Sequence, residues 1–385
     1  MGILIGKTAI FVQILCLIDT YMGVMRHFFH FTLALALILG IASCSEKDRY
    51  ISISGYAQGG TYTVKLNLQG KDGRIKVKPE EIRDSIASIL SAIDNSVSGY
   101  NRNSLLSRFN AGEAVVPDSI FADLYRHAFR FYEETGGIVD AASAPLFDIW
   151  GFGFRSGDFP TDDKVEAIRK NCGMRRLLPY DAAGHGQDGS IDGFRMLRCA
   201  KGAVEGTPVL PQLNYNAIAQ GYSCDLVAGY LHSIGVKDMM VDIGEIFCDG
   251  LNPSGQPWSL GIDKPVDGNN ELGAQMQGIF RVPEGPHGIV TSGNYRKFYI
   301  RDGKKYAHSI DPRTGSPVSH NLLSATIVAD DAITADAYAT YCMVAGLEQA
   351  KELLESRQDL EGCLIYDEDG TFMTWCSDGF VLEGL

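Results

Sequence analysis

Six short apolar runs, at 239–243, 258–262, 288–291, 296–300, 306–310 and 322–328, follow one another with turn residues and no helical pattern between them. Strands that arrive in a run pair with their neighbours, mostly antiparallel, whereas a doubly wound sheet needs a helix after nearly every strand. The pattern predicts an α+β fold with mostly antiparallel sheets flanked by helices. After Pro79, the residues Ile82, Ile86, Ile89, Leu90 and Ile93 recur on one helical face, with Glu80 and Glu81 in the first turn. Further helices are expected over 118–134, from 161–163 to about 173, and over 217–233, 334–345 and 347–356, with a strand over 60–68 and two terminal strands. Residues 181–215 are Gly-rich and irregular, with room for a short strand pair. No repeat of fixed period and no low-complexity linker interrupts the chain, so 51–385 is expected to be one composite domain.

The densest apolar stretch lies outside that pattern. Residues 28–43 are dominated by apolar and small side chains, with Arg26 before them and Cys44 after. A basic flank, a short apolar run and small residues at a cleavage point describe a secretory signal. Ile41-Ala42-Ser43-Cys44 resembles the bacterial lipobox, whose Cys is acylated and becomes the new N-terminus. A transmembrane anchor is the alternative, because residues 2–24 are also largely apolar, although broken by Lys7 and Asp19; the second run is short for a span. The expectation is a signal peptide over 1–43, with Met25 an alternative start, then a lipidated Cys44 and polar tether over 44–50. That makes the chain an exported, membrane-anchored lipoprotein facing the periplasm.

Of the 385 residues, 45% are hydrophobic and 21% charged, which excludes a disordered chain. The formal charge is −13 and no basic run occurs, which argues against a nucleic-acid partner. Without residues 1–43 the charge becomes −14 on 342 residues. Acyl chains on Cys44 would hold such a domain on a membrane without a spanning helix. Beyond Cys16 and Cys44 there remain seven cysteines, an odd number without a Cys-x-x-Cys, which is neither a zinc pattern nor a disulfide framework. Several read as buried small hydrophobes, with one disulfide left open.

Four segments carry chemistry. Asp311-Pro312-Arg313-Thr314-Gly315, after His308, reads either as a site placed at a strand end or as an Asp-Pro turn closed by a left-handed Gly. Thr291-Ser292-Gly293 offers hydroxyls and backbone amides of the kind that cradle phosphate. Asp336 and Thr340 project from one helical face, which suits a hard cation such as Mg2+. The alternative there is an Asp favouring the helix dipole and a Thr bonded back to a carbonyl. The Asn214–Tyr222 segment opens a helix whose free amides can receive an anion. A helix N-terminus and a metal-binding carboxylate together suggest a diphosphate ligand.

Together and in this order, these segments resemble the FAD:protein FMN transferases, the ApbE-type flavin transferases. Gly59-Gly60-Thr61-Tyr62, Tyr100 through Ser104-Leu105-Leu106-Ser107 to Asn110, and Val139-Asp140 through Pro145-Leu146 to Trp150-Gly151-Phe152 match stretches of that family. Ala217-Ile218-Ala219-Gln220-Gly221-Tyr222, Thr291-Ser292-Gly293, His308-x-Ile310-Asp311-Pro312-Arg313-Thr314-Gly315 and Ala335-Asp336-Ala337-x-Ala339-Thr340 follow in the family's order. The resemblance implies an ApbE-like fold, FAD as substrate and Mg2+ as cofactor, the metal being held by the Ala217 carbonyl, Asp336 and Thr340. It places Gln58, Tyr100, Ile138, Val139, Asp140, Asn214, Gln220, Thr291 and Ser292 around the flavin nucleotide. The implied reaction moves FMN onto a Thr or Ser hydroxyl of an acceptor protein and releases AMP, with His308 and Asp336 the candidates for the acceptor's proton. Implied acceptors are subunits of sodium-pumping NADH:quinone reductase and Rnf-type complexes.

Three departures from the family pattern stand out. Asn214 replaces the usual Asp, Gln220 replaces the usual Lys, and Asp242-Ile243-Gly244-Glu245 carries one Gly where two are common. The first two changes cancel in charge. An FAD pyrophosphatase using water as nucleophile and a flavin-binding lipoprotein without catalysis are the competing readings. No Gly-x-Gly-x-x-Gly fingerprint supports a nicotinamide enzyme.

Overall fold

Eight strands hydrogen-bond side by side in the order in which the chain makes them: β1 (Tyr50–Ala57), β2 (Gly60–Asn67), β3 (Met239–Asp242), β4 (Ile246–Asp249), β5 (His287–Gly293), β6 (Leu322–Ala329), β7 (Glu361–Glu368) and β8 (Thr371–Cys376). From β2 to β8 each strand runs antiparallel to its predecessor. The computed structural model describes residues 49–153, 159–177, 179–180, 196–197, 212–267, 273–295, 298–301 and 304–384. The expected signal peptide, Cys44 and the tether up to residue 48 lie outside the described residues, as do Cys16, Cys199 and most of 181–215. Residues 51–385 form one compact unit. Among the described residues no helix is long and apolar enough to cross a membrane.

The helices are α1 (Pro79–Val97), α2 (Leu105–Asn110), α3 (Ser119–Glu134), α4 (Ala144–Ile149), α5 (Asp162–Arg169), α6 (Ala219–Ser233), α7 (Ala332–Ala345) and α8 (Leu347–Ser356). The α+β class is as expected. The 3.6-residue period of α1 buries Ile82, Ile86, Leu90, Ile93 and Val97, and its Pro lies in the first turn, where a missing N–H costs nothing. These side chains join Val64, Leu66, Val241, Val290, Ala325, Ile327 and Leu364 of the sheet in the main core. In α7 the residues Ala332, Ile333, Ala335, Ala337, Ala339, Cys342 and Met343 are all buried, the mark of a helix enclosed by the core. It packs on β5, β6 and α6.

Two glycines set how tightly α7 is held. A Cβ on Gly221 of α6 would lie 2.3 Å from the Ala332 carbonyl oxygen, and one on Gly288 of β5 would lie 2.3 Å from the Ala332 Cα. The start of α7 is therefore gripped between a helix and a strand, which fixes where Asp336, one turn later, emerges.

Several elements go beyond the sequence pattern. The strands β1 and β4, a strand at Met276–Arg281, and the short helices α2 and α4 are additions. The strand Met276–Arg281 pairs with Ser259–Asp263 and with Leu382–Glu383 in a separate three-stranded sheet. The run expected at 306–310 is divided, with Lys304–Ala307 pairing to Phe298–Arg301 and Ile310–Asp311 pairing to Ser316–Pro317. The helix expected from 217 begins at Ala219.

Candidate active site

The loop before α6 and its first turn form a hub on which separate candidate segments converge. Asn214 donates its backbone N–H to the Ala141 carbonyl at 2.7 Å, joining it to the stretch that holds Ile138, Val139 and Asp140. Its side-chain oxygen accepts the Asn216 N–H at 2.9 Å, and the Asn216 amide reaches the hydroxyl of Tyr100 at 3.2 Å. Tyr100 itself is 70% exposed, so its ring is presented to solvent beside the hub. Gln58 donates to the Ser223 hydroxyl in the first turns of α6. It does so from a left-handed backbone, φ +52, with Gly59 at φ +82 completing the β1–β2 turn. A non-Gly residue held there is strained by about 1 kcal/mol or more, and such strain concentrates at functional sites. Gln220 donates to the Ile243 carbonyl at 3.1 Å. A Cβ on Gly244 would lie 2.3 Å from the Gln220 amide nitrogen, so the single Gly of that turn is the one that makes room for Gln220.

Asp336 is the carboxylate at the hub. It is 4% exposed, and one oxygen accepts the Gly221 N–H at 3.1 Å. That N–H would otherwise continue the helical ladder to Ala217; among the described residues no backbone N–H donates to the Ala217 carbonyl. Burial raises the Asp336 carboxyl well above the ordinary range, and the neighbouring Asp225 adds to the rise. The dipole reading of Asp336 does not hold, because the N-terminus of α7 is already capped. Asp331 accepts the Thr334 N–H at 2.8 Å, and Asp225 of α6 accepts the Ala332 and Ile333 N–H groups at 2.8 Å each. Asp225 is itself raised to about 7 by burial. A buried carboxylate with one hydrogen bond, a hydroxyl at Thr340 four residues on, and a carbonyl without its helical donor suit a hard cation. Among the described residues no group of three or more His, Cys, Asp or Glu side chains is arranged for a metal. A cation here would draw its remaining ligands from substrate oxygens or water.

The amides expected to be free at the start of α6 are largely taken. Ala219 donates to the Tyr215 carbonyl at 2.8 Å and Gly221 donates to Asp336. Asp140 is buried, accepts the Ala142 N–H at 2.9 Å, and is pushed up to about 7 by burial. Ile138 and Val139 are 5% and 4% exposed.

Thr291 and Ser292 lie inside β5, opposite Thr326 and Ala325 of β6, rather than past the strand's end. The Thr291 and Thr326 hydroxyls are 2.8 Å apart. β4 pairs with β5 only as far as Ile289, so among the described residues Thr291 and Ser292 have no strand partner on that side. His308 stands at the edge of a second, aromatic cluster: its ring is 6.5 Å from that of Phe152, which stacks on Tyr299, and Tyr299 stacks on Tyr306. The Asp311 segment is the Asp-Pro turn. Its carboxylate pairs with Arg313 through bonds of 2.9 and 3.0 Å, Gly315 sits at φ +77, and the Trp150 indole donates to the Gly315 carbonyl at 2.8 Å. Ile310–Asp311 packs against α7, which ties this cluster to the helix bearing Asp336.

A family model described as the ApbE family matches residues 59–364. The chain belongs to the ApbE family. Its relatives include the FAD:protein FMN transferases of Haemophilus influenzae, 31% identical over 357 residues and 90% of this chain and 95% of that protein, and of Vibrio cholerae, 32% identical over 356 residues and 90% and 96%. Among solved structures, the flavin transferase ApbE from Vibrio cholerae superposes with a TM-score of 0.68 at 30% identity, covering 86% of this chain and 97% of that one. The apo flavinyl transferase ApbE of Pseudomonas stutzeri gives 0.70 at 29%, covering 86% and 95%. For this ApbE-family chain, two residues at the hub were not singled out from the sequence: Ser223, which receives Gln58, and Asp225, which caps α7. Each acts across a long sequence separation and leaves no local motif.

Proposed function

We propose that this chain transfers the FMN part of FAD to a Thr or Ser hydroxyl of an acceptor protein and releases AMP. The reading is supported by relatives about 31% identical over nine-tenths of the chain that are FAD:protein FMN transferases. The observation that carries it is the Asp336 carboxylate, buried at the α6–α7 junction with a single N–H donor. In the transfer, the acceptor oxygen bonds to the FMN-side phosphorus and the bond from that phosphorus to the oxygen bridging to AMP breaks. The hydroxyl proton passes to His308 or Asp336. Asp336, Thr340 and the Ala217 carbonyl would hold Mg2+, which would supply charge neutralisation for the diphosphate. Tyr100, Asn214 and Gln220 orient the nucleotide around the hub, Gln58 and Asp140 hold the frame behind them, and Thr291 and Ser292 serve the phosphates from β5. The exported lipoprotein reading puts the reaction at the periplasmic face of a membrane, where flavinylated subunits of sodium-pumping NADH:quinone reductase or Rnf-type complexes are the acceptors.

The test measures AMP and covalent flavin together after incubation with FAD, Mg2+ and an acceptor domain. One AMP per flavin retained on denatured acceptor is the expected result. AMP with free FMN and no retained flavin indicates the pyrophosphatase, and bound FAD with no AMP indicates the binding protein.

A further inference from the structure

Away from the site, two free cysteines face each other across the last hairpin of the main sheet. Cys363 of β7 and Cys376 of β8 are direct register partners. In the next pair along, Ser377 donates its N–H to the Gly362 carbonyl at 2.9 Å, which makes that a hydrogen-bonded pair. Antiparallel pairs alternate, so Cys363 and Cys376 occupy a non-hydrogen-bonded pair, where the Cα atoms approach to about 4.5 Å and the side chains lie closest. Disulfides span Cα separations from about 4.4 to 6.8 Å, so this position takes a bridge without moving the backbone. Each thiol bears most strongly on the titration of the other, Cys363 being pushed up and Cys376 lowered. Of the other described cysteines, Cys172 and Cys224 donate to the carbonyls of Ile168 and Glu245.

We infer that Cys363 and Cys376 are a disulfide site that pins the edge strand β8 to β7. The accessible partner is Cys376, which is half-buried, whereas Cys363 is 1% exposed. The proximity of Cys363 lowers the Cys376 thiol toward the thiolate, the form that attacks. The oxidant is a disulfide, either a small one or that of a thiol–disulfide exchange protein. The Cys376 thiolate attacks one of its sulfurs, forming a mixed disulfide and releasing the first thiol. Cys363 gives up its proton and attacks the Cys376 sulfur, and the second thiol leaves. Two protein thiols are oxidised, one disulfide is reduced to two thiols, and the two protons pass to the released thiols. The strand that is pinned is an edge, and it carries Phe372 and Met373 at 37% and 38% exposure. Unpaired edges of that kind invite pairing with other chains. Formation in the cell rests on the export reading, whereas the test below does not.

The test uses the full chain, reduced and then exposed to oxidised glutathione, unfolded in acid with N-ethylmaleimide and digested with trypsin. No Lys or Arg follows Arg357, so both cysteines remain in the peptide that begins at Gln358. The expected product is that peptide lighter by two hydrogens with neither cysteine alkylated. Alkylation of both, or a glutathione adduct persisting on Cys376, overturns the inference. As a second measurement, oxidation is expected to raise the thermal midpoint of the wild type by about 3–8 °C. Cys376→Ser is expected to abolish that dependence on oxidation, and a shift that persists in Cys376→Ser counts against this pair.

Discussion

A buried carboxylate with one hydrogen bond, as at Asp336, is costly unless a proton or a cation neutralises it. Asp336→Asn keeps the shape and still accepts the Gly221 N–H, but it removes the charge a cation needs. Its thermal midpoint in the absence of metal is expected to equal or exceed that of the wild type, while AMP release from FAD falls by about 100-fold or more. Activity within a few-fold of wild type would show that the carboxylate is not where the cation acts. Asp140 gives a pH signature. Burial raises its carboxyl from 3.8 to about 7, so the folded chain holds a proton that the unfolded chain releases. Its stabilising contribution is therefore complete below about pH 4 and is lost as the pH climbs to about 7. Asp140→Asn should flatten that part of the stability profile, read by denaturant unfolding at pH 4, 5.5 and 7. At this scale the sequence was informative where spacing is local, as for Asp336 and Thr340 four apart on α7. It was silent on Asp225, which caps α7 from 107 residues earlier.

Between elements, the close approach of α6 and α7 is the feature on which the site depends. Gly221→Ala puts a methyl group 2.3 Å from the Ala332 carbonyl, and neither backbone can yield without moving Asp336. The expected cost is about 1–3 kcal/mol of stability, with a larger proportional loss of FAD turnover. Thermal unfolding and AMP release measured on the same preparation check it, and unchanged turnover would mean that the helices part without disturbing the site. Periodicity was enough to reveal α1, α3 and α8, whose apolar stripes face one way. For α7, buried on all sides, the apolar run gave the helix but not its neighbours. The strands β1 and β4 escaped for different reasons. In β1, Ile51 and Ile53 alternate with Ser beside the polar tether, and β4 has only four residues, Ile246–Asp249. The Gly221 and Gly288 contacts with Ala332 depend on three segments meeting, which no local pattern encodes.

For the whole molecule, an acidic chain of formal charge −13 is proposed to bind a diphosphate, and Gln220 brings no positive charge to the hub. Such a chain relies on a cation for phosphate binding, so chelation of divalent metal is expected to weaken FAD affinity at least tenfold, measured by flavin fluorescence. Unaltered affinity would assign phosphate binding to the amides alone. The proposed anchor is separable from the proposed chemistry: on the lipoprotein reading, Cys44→Ser is expected to move the protein from the membrane to the soluble fraction with flavin transfer unchanged, and wild type found in the soluble fraction would contradict that reading. The α+β class and the order of the site segments were legible in the sequence because the motifs are local and the strands come in a run. Their convergence on the start of α6 was not, since it joins Gln58, Tyr100, Asp140, Asn214 and Asp336 across most of the chain. The most direct measurement is flavin fluorescence on the acceptor protein after denaturing electrophoresis, with wild type and Asp336→Asn incubated side by side with FAD and Mg2+. A fluorescent acceptor band that grows with time for the wild type and is absent for Asp336→Asn is the predicted result, and no band for the wild type, with FAD intact, would contradict it.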